Sequence, residues 1–415
     1  MTAPRPSVPS APPTGRDLRL DLFRGCAMII ILVAHIPFNR LSNYIPARYG
    51  WSDAADIFVF CSGMASALAF GTVFVRRGWV MGSARVAYRV WQVYWAHLGL
   101  FIAIAATMAA LDLSGIFARY GSFDKSYVDA LNLGAFFETP LPGLVGLTTL
   151  TYVPNYFDIL PMYLVILAMI PAMMALARVD PRLAMAASVA LWAVAQTGIL
   201  ALPAEPWSDR PWFFNPFGWQ LIFFTGFAFG RGWLPAPPAS RVLMAAAIVF
   251  LAVSVPFGRW QIWTEVEWIR AWREANAVLF DKTNAGILRY LHFLAMAYLA
   301  VVLAGPAGAR LRPRGTGLAA EIARRGVAQV VKIGQQSLAV FVFSMWLALL
   351  LGFLLDFTAG RGWWPTLAVN VFGVALILGV AHLAAWVKSS PWKGQATPTR
   401  TQTPAQDRDP VRATG

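Results

Sequence analysis

An arginine and a histidine stand at the two ends of the apolar stretch DLFRGCAMIIILVAHIP, residues 21–37. In a helix, Arg24 and His35 would lie only about 20° apart around the axis and about 16 Å apart along it. Polar side chains that share one face of an apolar helix usually line a cavity or a pathway. The simpler alternatives are an Arg24 side chain that reaches the lipid headgroups and a His35 bonded to a carbonyl at the membrane interface.

Further polar residues begin other apolar segments and are expected at the same membrane depth as His35. A carboxylate near an imidazole fixes its tautomer and stabilises its protonated form, which is the arrangement of a general base. The sequence leaves open which carboxylate contacts His35. The predicted catalytic residues are His35, Asp56, Asp158, Arg289 and His292, and the predicted substrate-binding residues are Asp53, Trp219 and Gln220.

Four arginines lie in FVRRGWVMGSARVAYRVW, just after the second apolar segment. Arg85 and Arg89 are four residues apart, so in a helix they face one way and are able to hold the phosphates of a cytoplasmic donor. The alternative is that these arginines are stop-transfer charges in contact with phospholipid.

The composition is that of a membrane protein. Hydrophobic residues make up 58% of the 415 residues, charged residues only 13%, and the mean hydropathy is +0.56. We predict an all-α, polytopic integral membrane protein of about ten transmembrane helices. The expected spans lie near 22–38, 55–75, 86–111, 158–177, 183–201, 215–233, 241–257, 285–304, 334–355 and 365–387.

The net charge of +14 fits basic loops on one side of the membrane better than it fits nucleic-acid binding. With both termini in the cytoplasm, the excess Lys and Arg fall on the inner tails and loops, including 76–89 and 305–333, as the positive-inside rule requires. Residues 1–16 and 389–415 are expected to be disordered cytoplasmic tails around a membrane domain at 17–388. Cys26 and Cys61 are expected to be buried thiols, and no metal-binding motif is present.

Two segments between the predicted spans are long. Residues 112–157 are expected to cap the outer side. Residues 259–276, RWQIWTEVEWIRAWREAN, alternate tryptophans with charges. This pattern is typical of an interfacial amphipathic helix, and it would equally suit a platform for stacking sugar rings.

The spacing Arg24-x10-His35 resembles the R/K-x10-H motif of the membrane acyltransferase-3 superfamily. The successive blocks RLDLFRGCAMIIILVAHIP, WSDAADIFVFCSGMASALAFG, PNYFDILPMYLVIL, NPFGWQLIFFTGF, KTNAGILRYLHFLA and IGQQSLAVFVFS resemble OpgC-type proteins. OpgC-type proteins are succinyltransferases of osmoregulated periplasmic glucans. The resemblance extends from residue 17 to about residue 345.

The resemblance implies a multi-pass protein of the bacterial inner membrane that transfers an acyl group, expected to be succinyl, from cytoplasmic acyl-CoA to a periplasmic glucan hydroxyl. It assigns the catalytic histidine to His35 and the motif arginine to Arg24. Arg85-x3-Arg89 is one residue longer than the R-x-x-R pair linked to donor binding in the superfamily. The implied donor-binding residues are Arg24, Arg85 and Arg89.

Acyl transfer to a sugar hydroxyl needs a base near the hydroxyl and positive charge near the developing oxyanion. His35 would act as that base or carry the acyl group itself, while Arg289 or His292 would neutralise the oxyanion or hold a succinyl carboxylate. A transporter or flippase for a sugar or organic anion is the main alternative, and a membrane scaffold is another. The expected partners are membrane lipid, acyl-CoA and the glucan, and no nucleic acid.

Overall fold

The computed structural model describes residues 17–116, 126–357 and 362–392. Regular structure within these ranges is helical, apart from one isolated bridge between Pro203 and Pro211. The predicted all-α class is therefore confirmed. The predicted tails, residues 1–16 and the part of 389–415 beyond Trp392, lie outside the described residues.

The longer helices are α1 (Leu18–His35), α2 (Ala54–Ser66), α3 (Thr72–Leu113), α4 (Pro140–Thr149), α5 (Ile159–Val179), α6 (Pro181–Ala195), α7 (Pro216–Arg231), α8 (Arg241–Gly258), α9 (Ile287–Ala304), α10 (Leu318–Gln335), α11 (Ser337–Phe357) and α12 (Trp363–Lys388). One π-helical turn, Ala67–Gly71, joins α2 to α3. Shorter helical segments cover Arg40–Tyr44, Pro46–Arg48, Tyr127–Ala130, Gly134–Glu138, Trp260–Trp263, Glu267–Ala275, Ala277–Phe280 and Pro306–Leu311.

Six helical stretches in the described part of the chain are long and apolar enough to cross a membrane: Ala54–Leu113, α5, α8, α9, α11 and α12. This supports a multi-pass membrane protein. Each of the ten predicted spans falls on a helix of the structure, but several of these helices are too short or too charged to qualify as spans by length and composition. The count of about ten and the cytoplasmic location of the termini stay predictions.

The sixty-residue stretch Ala54–Leu113 is bent at Gly78. Gly78 has φ 82° and ψ 176°, a conformation outside the helical region that glycine adopts without strain. Phe74 and Gly82 are eight residues apart, so a straight helix would separate them by about 12 Å. Instead, a Cβ atom on Gly82 would lie 2.5 Å from the Phe74 ring. The chain therefore folds back on itself at this point.

Polar side chains fix the starts of the helices that carry the site. Asp17, Asp53 and Asn215 each accept a hydrogen bond from a backbone N–H of the first turn of α1, α2 and α7, respectively. Such caps satisfy donors that have no partner within the helix. Asp53 and Asp56 form a capping box, because the Asp56 carboxylate accepts in turn from the Asp53 N–H.

Glycines allow two pairs of helices to pack backbone against backbone. A Cβ atom on Gly25 of α1 would lie 2.0 Å from the Val330 carbonyl oxygen of α10, and one on Gly334 of α10 would lie 1.9 Å from the Asp21 oxygen of α1. Gly63 of α2 approaches Phe223 of α7 in the same way. Close packing at small residues is typical of helices in membranes.

The structure differs from the sequence analysis in three elements. The predicted loop 76–89 is helical except at Gly78, and the predicted loop 305–333 contains most of α10. The tryptophan-rich segment 259–276 forms two short helices, Trp260–Trp263 and Glu267–Ala275. In addition, Cys26 is exposed on the helix surface and not buried as predicted, whereas Cys61 is buried, and both are free thiols.

Candidate functional site

Two cavities lie between the helices, and they separate most of the predicted site residues into two groups. The histidine cavity, of about 650 Å³, is lined by the predicted residues His35, Asp53 and Asp158, together with Asn155, Arg210 and Lys282. The arginine cavity, of about 820 Å³, is lined by the predicted residues Arg24, Arg85 and Arg89, together with Lys388. The two cavities have no lining residue in common, although α1, α2, α5 and α11 contribute to both.

His35 is the last residue of α1, and its ring is held from both sides. Its Nδ1 lies 2.7 Å from the carbonyl oxygen of Ile31, one helical turn earlier. A carbonyl only accepts hydrogen bonds, so in the neutral ring the proton is on Nδ1 and the lone pair is on Nε2. The partner that fixes the tautomer is thus a backbone carbonyl, where the sequence analysis expected a carboxylate.

Tyr156 packs its ring edge-on against His35, with the ring centroids 5.3 Å apart. The Tyr156 hydroxyl donates to the Met345 carbonyl oxygen at 2.7 Å, which anchors the tyrosine to α11. Its backbone has φ 86°, which is strained for a residue with a side chain. Such strain clusters at functional sites, where the surrounding structure holds it in place.

Asp53 joins the histidine cavity to a buried ionic cluster. Its side chain accepts from the Ala55 N–H at 2.8 Å, from Lys282 Nζ at 2.7 Å and from Arg289 Nη2 at 2.9 Å. Arg289 reaches the carboxylate of Asp56 with Nε at 3.1 Å and Nη2 at 2.5 Å, and it donates Nη1 to the Trp51 carbonyl at 2.7 Å. Every nitrogen of the Arg289 guanidinium therefore has a protein partner.

Asp56 and Arg289 are buried, at 0% and 4% exposure, and neither lines the histidine cavity. Both side chains are bound to protein partners, and these contacts hold Asp53 and the start of α2 in place. We therefore describe Asp56 and Arg289 as positioning residues that fix Asp53 and the start of α2. The catalytic roles predicted for them stay predictions.

His292, Trp219 and Gln220 also lie away from the described linings of both cavities. His292 Nδ1 lies 2.7 Å from the Ser52 hydroxyl, and its Nε2 packs so closely on Gly50 that a Cβ there would be 2.0 Å away. The Arg289 guanidinium lies over the ring of Trp219, and its Cζ is 5.1 Å from the ring centroid. Gln220 binds the backbone and hydroxyl of Ser188, which joins α7 to α6.

Lys282 is a cavity residue that the sequence analysis missed. Its ammonium group contacts Asp53 and lies 5.5 Å and 5.4 Å from the ring centroids of Phe213 and Phe214. The backbone is fixed separately, because Trp219 Nε1 donates to the Lys282 carbonyl at 2.8 Å. In the sequence, Lys282 was one more charge in an outer loop, although it lies in the block KTNAGILRYLHFLA.

Asp158 and Arg210 also line the histidine cavity. Asp158 accepts from the Phe213 N–H at 2.9 Å. Arg210 donates Nη2 to the Val153 carbonyl at 2.9 Å and to Glu205 at 3.0 Å. Burial raises the pKa of Glu205, but hydrogen bonds from Arg210, Ser208 and Asn132 outweigh this effect and leave the pKa below its usual value.

The arginine cavity is a long groove beside α3. Its lining runs from Arg85 to Ala103, which is about 27 Å along a helix. Its polar end carries Arg24, Arg85, Arg89 and Lys388, of which Arg24 donates to the Ser337 hydroxyl and Lys388 donates to Gln336 Oε1 at 2.6 Å. Its other end is apolar and includes Gly99, Leu100 and Trp346. None of the described residues that line the groove is acidic.

A stacked aromatic pair stands where the two cavities approach each other, and its Phe341 lines the histidine cavity. The rings of Phe58 on α2 and Phe341 on α11 are 5.8 Å apart and inclined by 14°. On α2, Ala54 and Ala55 line the histidine cavity, whereas Ser62 and Ala65 line the arginine cavity. Phe58 lies between these positions in the helix, so the pair forms part of the partition.

The fold and the two cavities define a class: a multi-pass, all-helical membrane protein with a histidine site and a neighbouring cationic groove. Comparison with family models places the chain more narrowly. Residues 16–389 match the family described as OpgC protein, and the chain therefore belongs to the OpgC family. No curated protein and no solved structure matches the chain.

Membership of the OpgC family indicates a glucan-modifying acyltransferase and confirms the resemblance that the sequence blocks suggested. It does not favour the transporter or flippase alternative. The wider placement in the acyltransferase-3 superfamily stays a prediction.

Proposed function

We propose that this protein transfers an acyl group from the thioester of acyl-CoA to a hydroxyl of a glucan, with His35 as the general base. His35 Nε2 takes the hydroxyl proton, and the hydroxyl oxygen attacks the thioester carbonyl. The C–S bond then breaks, and His35 returns the proton to the departing thiolate of coenzyme A. The products are a glucan ester and free coenzyme A.

The observation that carries this proposal is the bonding of the His35 ring. Because Nδ1 is committed to the Ile31 carbonyl, the lone pair of Nε2 is available for a proton, and the ring borders a cavity that admits a ligand. A base must stand within hydrogen-bond reach of the proton that it removes. A hydroxyl bound in the histidine cavity would satisfy that condition.

The donor would bind in the arginine cavity. Coenzyme A carries several phosphates, and four cations at one end of a groove without described acidic residues suit a polyanion. The apolar end, with Gly99 and Ala103, leaves room for the pantetheine arm beside α3. Lys388 joins the predicted set Arg24, Arg85 and Arg89 as a proposed donor-binding residue.

The acceptor would bind in the histidine cavity. Asp53 and Asp158 offer carboxylate oxygens that accept hydrogen bonds from sugar hydroxyls, and Trp212 and Phe214 offer apolar surface for a sugar ring. Asp53 and Asp158 therefore keep a proposed role in the site, the first in substrate binding and the second beside the base.

We infer the direction of transfer from the charge pattern of the chain. The positive-inside rule puts the Arg24 end of α1 in the cytoplasm and the His35 end on the opposite side. Acyl-CoA would then enter from the cytoplasm, and the glucan would be acylated in the periplasm, so the protein would reside in the bacterial inner membrane. The acyl group is proposed to be succinyl.

The test uses the full chain in lipid nanodiscs, supplied with succinyl-CoA and a linear or cyclic glucan. Mass spectrometry of the glucan is expected to show added succinyl mass with the wild type and none above background with His35→Gln. His382→Gln is the matched control, because His382 bonds Gln329 and lies outside both cavity linings. Equal esterification by His35→Gln and wild type would refute the role of His35.

A further inference from the structure

We propose that Lys282 selects donors whose acyl group ends in a carboxylate. This inference rests on the proposed acyl transfer and names the residue that would recognise the class of acyl group. A dicarboxylic acyl group such as succinyl carries one negative charge at the end remote from the thioester. A cation placed in the cavity beside His35 would bind that charge while the thioester carbonyl faces the base.

Lys282 and Arg210 are the cations that the structure shows in the lining of the histidine cavity. Arg210 is committed to the protein, since its Nη2 binds the Val153 carbonyl and Glu205. Its Nη1 points to Asn155 at 3.4 Å. Lys282 has three N–H donors, and the described contacts of its ammonium are Asp53 and the faces of two aromatic rings. Lys282 therefore has hydrogen-bonding capacity for a ligand, and Arg210 has little.

The cluster behind Lys282 allows its charge to be used without leaving a carboxylate unpaired. Asp53 keeps Arg289 at 2.9 Å and the Ala55 N–H at 2.8 Å when Lys282 turns to a ligand. Asp56 is paired with Arg289 independently of Lys282. A buried carboxylate that lost its last partner would cost several kcal/mol, and this arrangement avoids that loss.

The Lys282 ammonium is also accessible to a ligand. The ring centroids of Phe213 and Phe214 lie 5.5 Å and 5.4 Å from it, and the Lys282 side chain is 36% exposed. Lys282 and Asp53 line the same cavity as His35, so they lie near the proposed reacting centre.

The test compares two donors of similar length, succinyl-CoA and butyryl-CoA, whose acyl chain is uncharged, with the wild type and Lys282→Gln in nanodiscs. Loss of one charge-assisted hydrogen bond is expected to lower kcat/KM for succinyl-CoA by about 10- to 100-fold. The value for butyryl-CoA is expected to fall much less than the value for succinyl-CoA, because the butyryl chain has no charge to bind, so the ratio of the two values falls. Lys282→Arg, which keeps the charge, is expected to retain the preference for succinyl-CoA.

An equal fall for both donors would overturn the inference, since a residue with a purely structural role affects both. A wild type that uses butyryl-CoA as well as succinyl-CoA would overturn it too, and this measurement does not depend on the stability of any variant. A wild type that transfers neither group would instead refute the proposed acyl transfer on which the inference rests.

Discussion

The contacts of the His35 ring determine which of its two nitrogens is available for chemistry. The Ile31 carbonyl holds Nδ1, and the edge of Tyr156 holds the plane of the ring, so Nε2 is the nitrogen left for chemistry. The nearby carboxylates bind cations instead. Arg289 binds Asp56, and both Arg289 and Lys282 bind Asp53. The ionic cluster therefore holds part of the cavity lining in place, and the catalytic action of His35 is the proposal that the experiments below test.

Removing one partner of the Asp56–Arg289 pair is expected to destabilise the protein strongly. Arg289→Met leaves the buried Asp56 carboxylate without its cation, at a cost of about 3–5 kcal/mol. The midpoint of thermal unfolding in detergent measures the effect. The control is Arg270→Met, which removes an exposed partner of Glu267 and is expected to change little. Equal midpoints for the two variants would contradict the positioning role of Arg289.

The sequence predicted part of this site at the level of residues. Arg24, Arg85 and Arg89 do line one cavity, and His35, Asp53 and Asp158 do line another. The sequence does not predict pairs of residues that are far apart along the chain. Asp56 and Arg289 form such a pair, 233 positions apart. For the same reason Lys282 and Tyr156 were missed, since their contacts with Asp53 and His35 depend on how the helices pack.

At the level of helices, the partition between the cavities is the feature with the clearest consequence. The thioester in the proposed donor groove must reach the hydroxyl in the histidine cavity, yet Phe58 and Phe341 stack between them. Arg24 and His35 lie about 16 Å apart along α1, a distance that the pantetheine arm would have to span. With the donor and acceptor bound as proposed, the aromatic pair would have to move during each transfer, and it would keep water from the thioester at other times.

Phe341→Ala is expected to hydrolyse acyl-CoA without transferring the acyl group to a glucan. Without the ring, water from the histidine cavity reaches the thioester, so free coenzyme A should appear severalfold faster in the absence of glucan. A colorimetric thiol assay on the purified protein measures this release. Phe343→Ala is the matched control, because Phe343 lines the arginine cavity and packs on Trp346. Identical release by the two variants would show that the stacked pair is no barrier.

Hydropathy located the helices well and their ends less well. All ten predicted spans fall on helices, because long apolar runs in lipid have no alternative to internal backbone hydrogen bonding. Hydropathy missed α10, whose Glu321, Arg324 and Arg325 resemble a loop although Gly334 packs it tightly on α1. Hydropathy also predicted a loop at 76–89. This segment is helical except at Gly78, where one glycine is sufficient to bend the chain.

At the scale of the whole molecule, the loop that carries Arg210 links the stability of the histidine cavity to pH. Glu205 holds Arg210, Ser208 and Asn132 together, and its pKa lies below the usual value of 4.5. A carboxyl whose pKa is lowered by folding stabilises the protein above its unfolded pKa. That contribution is lost as the pH falls below about 4.5 and through the lower pKa of the folded state.

Glu205→Gln is expected to unfold at a lower temperature than the wild type at neutral pH, and the difference should shrink as the pH falls below 4.5. Thermal unfolding of both proteins between neutral pH and acid pH gives this comparison. Glu267→Gln, in an exposed ion pair, serves as the control. A difference between wild type and Glu205→Gln that stays constant with pH would contradict the linkage.

The proposed mechanism requires that acyl transfer occur at His35 and that donor and acceptor lie on opposite faces of the membrane. The most direct measurement uses proteoliposomes with succinyl-CoA on the Arg24 side and glucan only on the His35 side, with orientation fixed by a tag near residue 415. The wild type is expected to form succinyl ester on the glucan, and His35→Gln is expected to form none at equal protein levels. Ester formed equally by His35→Gln, or formed only when donor and glucan share one side, would contradict it.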